Sequence, residues 1–198
     1  MEGELEVTAL RAGDEAAFAA LVDREHAVLR RLARSFVATD AVADEVVQET
    51  WLAVIEGIDR FEGRSSLRTW IHRILVNIAR RHGVREHRSV PASSLGGDPA
   101  WPLSDFEADG EWAGHWVVGP APWDGPAERL VAAETMAVVA AAIDDLPPVQ
   151  RAVITLRDVE GWPPDEVCDV LDLTPGNQRV LLHRARGRVR AALAEVLS

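Results

Sequence analysis

The chain has 198 residues, with 21 basic side chains against 32 acidic ones, a formal net charge of −11 and 47% hydrophobic residues. That length and apolar content support one or two folded domains, and no apolar run approaches the ~20 residues that a membrane span requires. Residues 1–10 are acidic where a secretion signal would be basic and then apolar. The single cysteine, Cys168, excludes an internal disulfide framework or a cysteine-based zinc site and points to a reducing, cytoplasmic setting.

The charge is segregated along the chain. Residues 38–59 carry the acids Asp40, Asp44, Glu45, Glu49, Glu56 and Asp59 and no base. Residues 60–88 carry Arg60, Arg64, Arg68, Arg73, Arg80, Arg81, Arg85 and Arg88 against only Glu62 and Glu86. Residues 89–127 are acidic without a base, and residues 179–190 hold Arg179, Arg184, Arg186, Arg188 and Arg190 without an acid. All the basic residues are Arg, so both stripes consist of planar bidentate donors. Two basic stripes among acidic stretches suggest two nucleic-acid contacts on a molecule that also meets something basic. The plainer alternative is that each stripe is a solvated helix face.

From Asp14 onward, Phe18, Leu21, Val22, Leu29, Leu32 and Phe36 recur at helical spacing. Thr39 and Asp40 cap a second helix striped by Val42, Val46, Val47, Val54 and Ile58. Residues 59–65 break the pattern at Gly63, and Ser66 then caps a third helix with Leu67, Trp70, Ile71, Ile74, Leu75 and Ile78 inward and arginines outward. Residues 89–126 hold six prolines, six glycines and the tryptophans Trp101, Trp112, Trp116 and Trp123, and are predicted to be a linker. A helix over 128–144 follows, then one from Val149 to a stop at Gly161. A short helix comes next, starting at Pro163-Pro164, and a long last helix is opened by Thr174 as cap and Pro175 at its first position. The predicted fold is all-α: two small helical domains, 1–88 and 127–198, joined by the long irregular linker 89–126.

A short helix, a tight turn and an Arg-rich helix make a helix-turn-helix pattern, whose second helix places its first side chains in the major groove. Asn177, Gln178 and Arg179 stand at that start, with amides and a guanidinium suited to base edges, while His183, Arg184, Arg186 and Arg188 lie where phosphates would be met. From the pattern alone, a helical hairpin with a soluble surface remains the alternative.

Residues 146–153 (Leu-Pro-Pro-Val-Gln-Arg-Ala-Val), 158–161, 165–167 and 183–186 (His-Arg-Ala-Arg) together resemble region 4 of bacterial sigma factors, most closely the extracytoplasmic-function (ECF) group of the sigma-70 family. Residues 13–18, 44–51 (Asp-Glu-Val-Val-Gln-Glu-Thr-Trp) and 61–70 resemble region 2 in the expected order. The resemblance implies a non-enzymatic transcription initiation factor that binds core RNA polymerase through Asp44, Gln48 and Glu49. It implies melting and recognition of the −10 element by Phe61, Arg64, Ser65, Ser66, Arg68, Trp70, Asn77, Arg80 and Arg81. It further implies −35 binding by Thr174, Asn177, Gln178, Arg179, His183, Arg184 and Arg186. Trp70 has two readings, near the melted strand or as a core support for the loop, and the core role is favoured. The family's partners are core polymerase, promoter DNA and an anti-sigma factor, with no membrane insertion and no cofactor.

The recognition helix departs from the family pattern: a usually buried valine is Gln178 and a usually basic residue is Leu181. The acidic linker, in the position that threads the polymerase in the family, is expected to imitate nucleic acid and to yield to RNA. The six histidines form no metal-spaced cluster, and no catalytic triad, acid pair or phosphate loop stands out, so neither a metal nor an enzymatic activity is expected. Competing readings are an autonomous helix-turn-helix regulator, which leaves the acidic helix without a purpose, and a helical adaptor without DNA dependence.

Overall fold

Asp14 begins the first long helix because its carboxylate accepts the backbone N–H groups of Ala16 (2.9 Å) and Ala17 (3.1 Å), which no helical carbonyl can satisfy. The same device recurs. Thr39 Oγ1 accepts from Val42 N–H, Ser66 Oγ from Thr69 N–H and Thr174 Oγ1 from Asn177 N–H, each three residues on. In the computed structural model, which describes residues 2–86 and 126–197, these caps open four of eight α-helices. They are α1 (Glu2–Arg11), α2 (Glu15–Arg34), α3 (Asp40–Gly57), α4 (Leu67–Glu86), α5 (Pro126–Asp144), α6 (Pro148–Ile154), α7 (Pro164–Leu171) and α8 (Pro175–Leu197). The linker expected over 89–126 lies, but for Pro126, outside the described residues, so its tryptophans have no structural account here. Among the described residues there is no strand, and no helix is long and apolar enough to cross a membrane.

Helix α1 has no counterpart in the sequence reading, which began at Asp14; its weak apolar stripe gives little periodicity. Val7 and Leu10 are its core contribution, and Arg11 fixes its end by donating from Nε to the Ile58 carbonyl (3.3 Å) and from a terminal nitrogen to the Phe61 carbonyl. The break at 59–65 is real: a 3₁₀ turn, Ile58–Arg60, follows α3, and Gly63 takes φ +70, a value that only glycine adopts without strain. After α6 the chain widens into one π-helical turn, Thr155–Val159, which sequence periodicity cannot announce. Gly161 at φ +68 ends it, as expected.

The contacts group residues 2–86 with Thr155–Leu173 in one unit, and 126–154 with 174–197 in a second. In the first, α3 packs chiefly on α4, and α2 lies against both. Their inward residues, Leu21, Leu29, Leu32, Val46, Val47, Val54, Ile71 and Leu75, are essentially without exposure. Helix α7 belongs to this unit because it packs on α4, with Val167, Val170 and Leu171 buried. Hence Thr155–Leu173, assigned by sequence periodicity to the 127–198 segment, is grouped with α2 and α4 by its contacts. In the second unit α8 packs on α5 and α6. Cys168 on α7 is partly buried.

Gly83 sets how closely α4 approaches the end of α2. A Cβ there would stand 2.4 Å from the Phe36 carbonyl oxygen, part of a backbone that cannot turn aside. The Gly83→Ala chain is therefore expected to lose about 2 kcal/mol of stability, although alanine is the better helix former; urea unfolding followed by far-UV circular dichroism measures it.

Candidate functional site

The outward side of α3 presents Glu45, Gln48, Glu49, Leu52, Ile55 and Glu56 to solvent, at the three- and four-residue intervals of one helix face. Asp44 and Glu49 each have a cation of the chain itself beside them. Arg30 donates from Nε to Asp44 Oδ1 at 2.6 Å, and its second nitrogen stands 3.4 Å from Asp40. The hydrogen bond to Asp44 is the main cause that holds the Arg30 pKa above its already high ordinary value. His82 Nε2 lies 3.0 Å from Glu49 Oε1. Both carboxylates are about half-exposed, so water screens the pairs and an incoming cation can replace them at little cost. Gln48 is exposed.

The loop after α3 places its residues differently from one another. Phe61 is buried and packs on Trp70 with ring centres 5.2 Å apart; Trp70 in turn closes on Gly57, where a Cβ would meet the indole at 3.3 Å. Trp70 itself is partly exposed. Arg64 is exposed beside Glu62 (3.2 Å). Ser65 Oγ donates to the Ser66 carbonyl at 3.3 Å. Ser66 is occupied as the α4 cap and also shares a 2.8 Å hydrogen bond with the Thr69 hydroxyl. It shapes the loop in this conformation instead of offering its hydroxyl to a base.

Helix α4 divides its cations between two surroundings. Asn77 and Arg81 are exposed, one turn apart, and Arg81 Nε donates to the Asn77 carbonyl at 3.3 Å. Arg73 continues this row one turn earlier and is also exposed. It was absent from the residue set implied by the resemblance, although its i, i+4, i+8 spacing with Asn77 and Arg81 was legible. Arg68 and Arg80 are engaged within the unit. The Arg68 guanidinium stacks on the Trp162 ring at 3.7 Å and faces Glu25 at 3.8 Å, while Arg80 donates to the Leu171 carbonyl at 2.7 Å.

Beneath Arg68 lies a buried cluster. Glu25, nearly unexposed, pairs with Arg24 at 2.9 Å as well as with Arg68. His72 has no exposure; its Nδ1–H donates to the Arg68 carbonyl (2.8 Å) and its ring meets Trp162 edge-on at 4.6 Å. That tautomer turns the Nε2 lone pair toward Glu25, 4.0 Å away, so the contact is no ion pair at neutral pH. Burial, the largest cause, pushes the His72 pKa down to about 4. The sequence gives no sign of this cluster, because the surroundings of His72 come from three separated segments.

Helix α8 carries the last candidates. Thr174 caps it, and Asn177, Arg179 and Arg184 are exposed; His183 is half-buried. Gln178 and Arg186 do not fit their assigned roles. Gln178 is 2% exposed and Arg186 is 4% exposed, so neither reaches a groove or a phosphate in this conformation. Position 178 thus keeps the buried setting that the family pattern gives to valine, with an amide in it. Among the described residues no group of three or more His, Cys, Asp or Glu is spaced to hold a metal ion.

Family models match the chain twice, as sigma-70 region 2 over residues 21–89 and as sigma-70 region 4 over residues 136–189. The ECF RNA polymerase sigma-E factor of Escherichia coli (strain K12) is 30% identical over 180 residues, covering 91% of this chain and 88% of the relative. The RNA polymerase sigma-H factor of Pseudomonas aeruginosa is 30% identical over 192 residues, covering 96% of this chain and 93% of that one. Among solved structures, CnrH in complex with the cytosolic domain of CnrY is similar with TM-score 0.63 at 24% identity, covering 98% of this chain and 99% of that one. The sigma factor RpoE of Bartonella quintana, solved with the anti-sigma factor NepR, is similar with TM-score 0.60 at 20% identity, covering 89% of this chain and 96% of that one. With both regions present in order, the chain belongs to the ECF group of the sigma-70 family, non-enzymatic factors that direct RNA polymerase in transcription initiation.

Two outcomes check this geometry. Gln178 Nε2 is buried without a hydrogen-bond partner, so Gln178→Leu is expected to raise stability by about 1 kcal/mol in thermal unfolding. For His72, the unfolded chain takes up its proton below about 6.5 and the folded chain only near 4. Stability is therefore lost as pH falls through that window, on the order of 3 kcal/mol at most from this group. Urea midpoints between pH 7 and 4 are expected to fall less steeply in His72→Leu.

Proposed function

We propose that this chain joins core RNA polymerase through the outer face of α3, by Asp44, Gln48 and Glu49, and then brings two DNA-reading surfaces to a promoter. In this reading, segment 1–88 melts and holds the −10 element, 127–198 binds the −35 element, and 89–126 connects them. The protein acts in the cytoplasm, with an anti-sigma factor as its controlling partner.

The single observation that carries the −10 assignment is the outward row Arg73, Asn77 and Arg81 on α4, with Arg64 on the adjoining exposed loop. The opposite side of the helix is spent on the core through Ile71, Leu75 and Ile78. A cationic row beside a loop stiffened by Phe61 and Trp70 suits a separated strand: guanidinium groups follow phosphates, and the loop supplies polar groups for an unstacked base. Phe61 and Trp70 support that loop from within. Reading DNA with Arg68 and Arg80 as well requires them to leave the Trp162 ring and the Leu171 carbonyl. For the −35 element, Asn177 and Arg179 stand in the first turn of α8, where side chains reach base edges, and Arg184 suits a phosphate. With a net charge of −11, the isolated chain meets long-range repulsion from DNA, which delivery by the polymerase overcomes.

Run-off transcription with purified core enzyme on a promoter library tests the whole reading. The wild-type chain is expected to direct initiation at a two-part promoter and to bind the same duplex poorly in its absence. Tight specific binding by the isolated chain would instead mark an autonomous regulator. Asp44→Arg with Glu49→Arg is expected to weaken core association at least tenfold. Arg179→Ala is expected to lower occupancy of the −35 element by roughly 10- to 100-fold with core association intact.

A further inference from the structure

Within the first unit, polar ties hold the segment Thr155–Leu173 against α2 and α4. Arg31 Nε stands 2.6 Å from Glu160 Oε1, and the Thr69 hydroxyl donates to Glu166 Oε2 at 3.4 Å. The Arg68 guanidinium lies on the Trp162 ring at 3.7 Å, and Arg80 donates to the Leu171 carbonyl at 2.7 Å. Arg68 and Arg80 both belong to the set assigned to the −10 element. A guanidinium face covered by an indole is closed to a base, and a donor given to a carbonyl is lost to a phosphate. A DNA strand and this segment therefore exclude each other at these two residues.

Two features mark this seam as one that opens. Trp162 and His72 are buried against each other, yet indole Nε1 and imidazole Nε2 have no hydrogen-bond partner among the described residues. A permanent core satisfies such groups, because each unmet donor or acceptor gives up its water without return; opening the seam restores both to solvent. The segment is also bounded by unusual backbone. It begins in the π-helical turn Thr155–Val159 and ends beyond Asp172, which takes φ 56 in the left-handed region. A change of direction absorbed at these two points leaves α7 intact between them. The apolar side of α7, with Val167, Val170 and Leu171 buried, supplies the force that keeps the seam closed until a competitor arrives.

We propose that Thr155–Leu173 is an internal clasp that holds the place of a single DNA strand on α4, so that the free chain masks part of its own −10 surface. Trp162 takes the part of an unstacked base: its ring lies under a guanidinium, as bases do on surfaces that bind single strands. The inference rests on the reading that α4 contacts the −10 strand. Arg73 and Arg81 stay exposed with the clasp in place, so an arriving strand meets the outer row first, and Arg68 and Arg80 then exchange partners.

The test is binding of a fluorescein-labelled, random-sequence single-stranded DNA oligonucleotide to the full-length chain at low ionic strength. In an Arg31→Cys/Glu160→Cys/Cys168→Ser chain, a short bismaleimide locks the clasp, and the same chain capped with N-ethylmaleimide is the control. The locked chain is expected to bind about tenfold more weakly than the capped one. Trp162→Ala is expected to bind about tenfold more tightly than wild type, and adding Arg68→Ala removes that gain. Arg31→Gln is expected to bind about threefold more tightly, although loss of a cation by itself weakens binding to DNA. Circular dichroism and Tm show which chains fold; should Trp162→Ala fail to, the locked and capped pair still decides. Arg81→Ala separates the two readings. If it weakens binding while locked and capped chains bind alike, the clasp is overturned and the α4 reading stands. If neither matters, both fall. Tighter binding by Trp162→Ala that survives Arg68→Ala would place the DNA elsewhere on the chain and overturn the proposal.

Discussion

The carboxylate of Glu25 is almost entirely withdrawn from water, and a buried charge persists in a fold only where cations and hydrogen bonds meet it. Arg24 meets it from the next residue along α2 and Arg68 from the first turn of α4. Arg68 also carries the indole of Trp162 on its flat face, and Trp162 closes over His72. One anion thereby ties α2, α4 and the segment following α6 to a single point. The arrangement is specific because each member has a directional partner. Removing Arg68 would leave Glu25 with Arg24 alone, and removing Trp162 would open the dry site that keeps His72 neutral.

This anchorage explains why the arginines of α4 fall into two groups. Those on the buried seam, Arg68 and Arg80, are held by chain-internal partners. Those on the far side, Arg73 and Arg81, remain exposed. A similar division holds for the acids. Glu25 is structural, whereas Asp44 and Glu49 have only screened surface pairs with Arg30 and His82. An exposed pair of this kind contributes little to folding and yields readily to a better-placed cation, which is what an association surface requires.

The helices and their starts were legible because they rest on local chemistry: Thr39, Ser66 and Thr174 each satisfy an N–H three residues along, and Gly63 and Gly161 supply positive φ where the pattern breaks. The outward placement of Arg81 followed from the same periodicity, and that of Asn177 and Arg179 from their place in the first turn of the last helix. What escaped is non-local. Helix α1 is held by an arginine reaching carbonyls some fifty residues away, and the π turn at Thr155–Val159 leaves no period to detect. Gln178 and Arg186 are polar residues in buried places, so residue type suggested a surface that the fold does not grant them.

The sequence by itself determined the all-α class, the order of the two regions, the helix caps and the segregation of acids from arginines, because each depends on residues a few positions apart. Only the tertiary structure decided which charges are occupied. Burial and pairing join Glu25, Arg68, His72 and Trp162 across more than a hundred residues of chain, and they leave Leu52 and Ile55 uncovered. Whether a side chain has a partner depends on what the fold brings against it, and local periodicity carries no information about that.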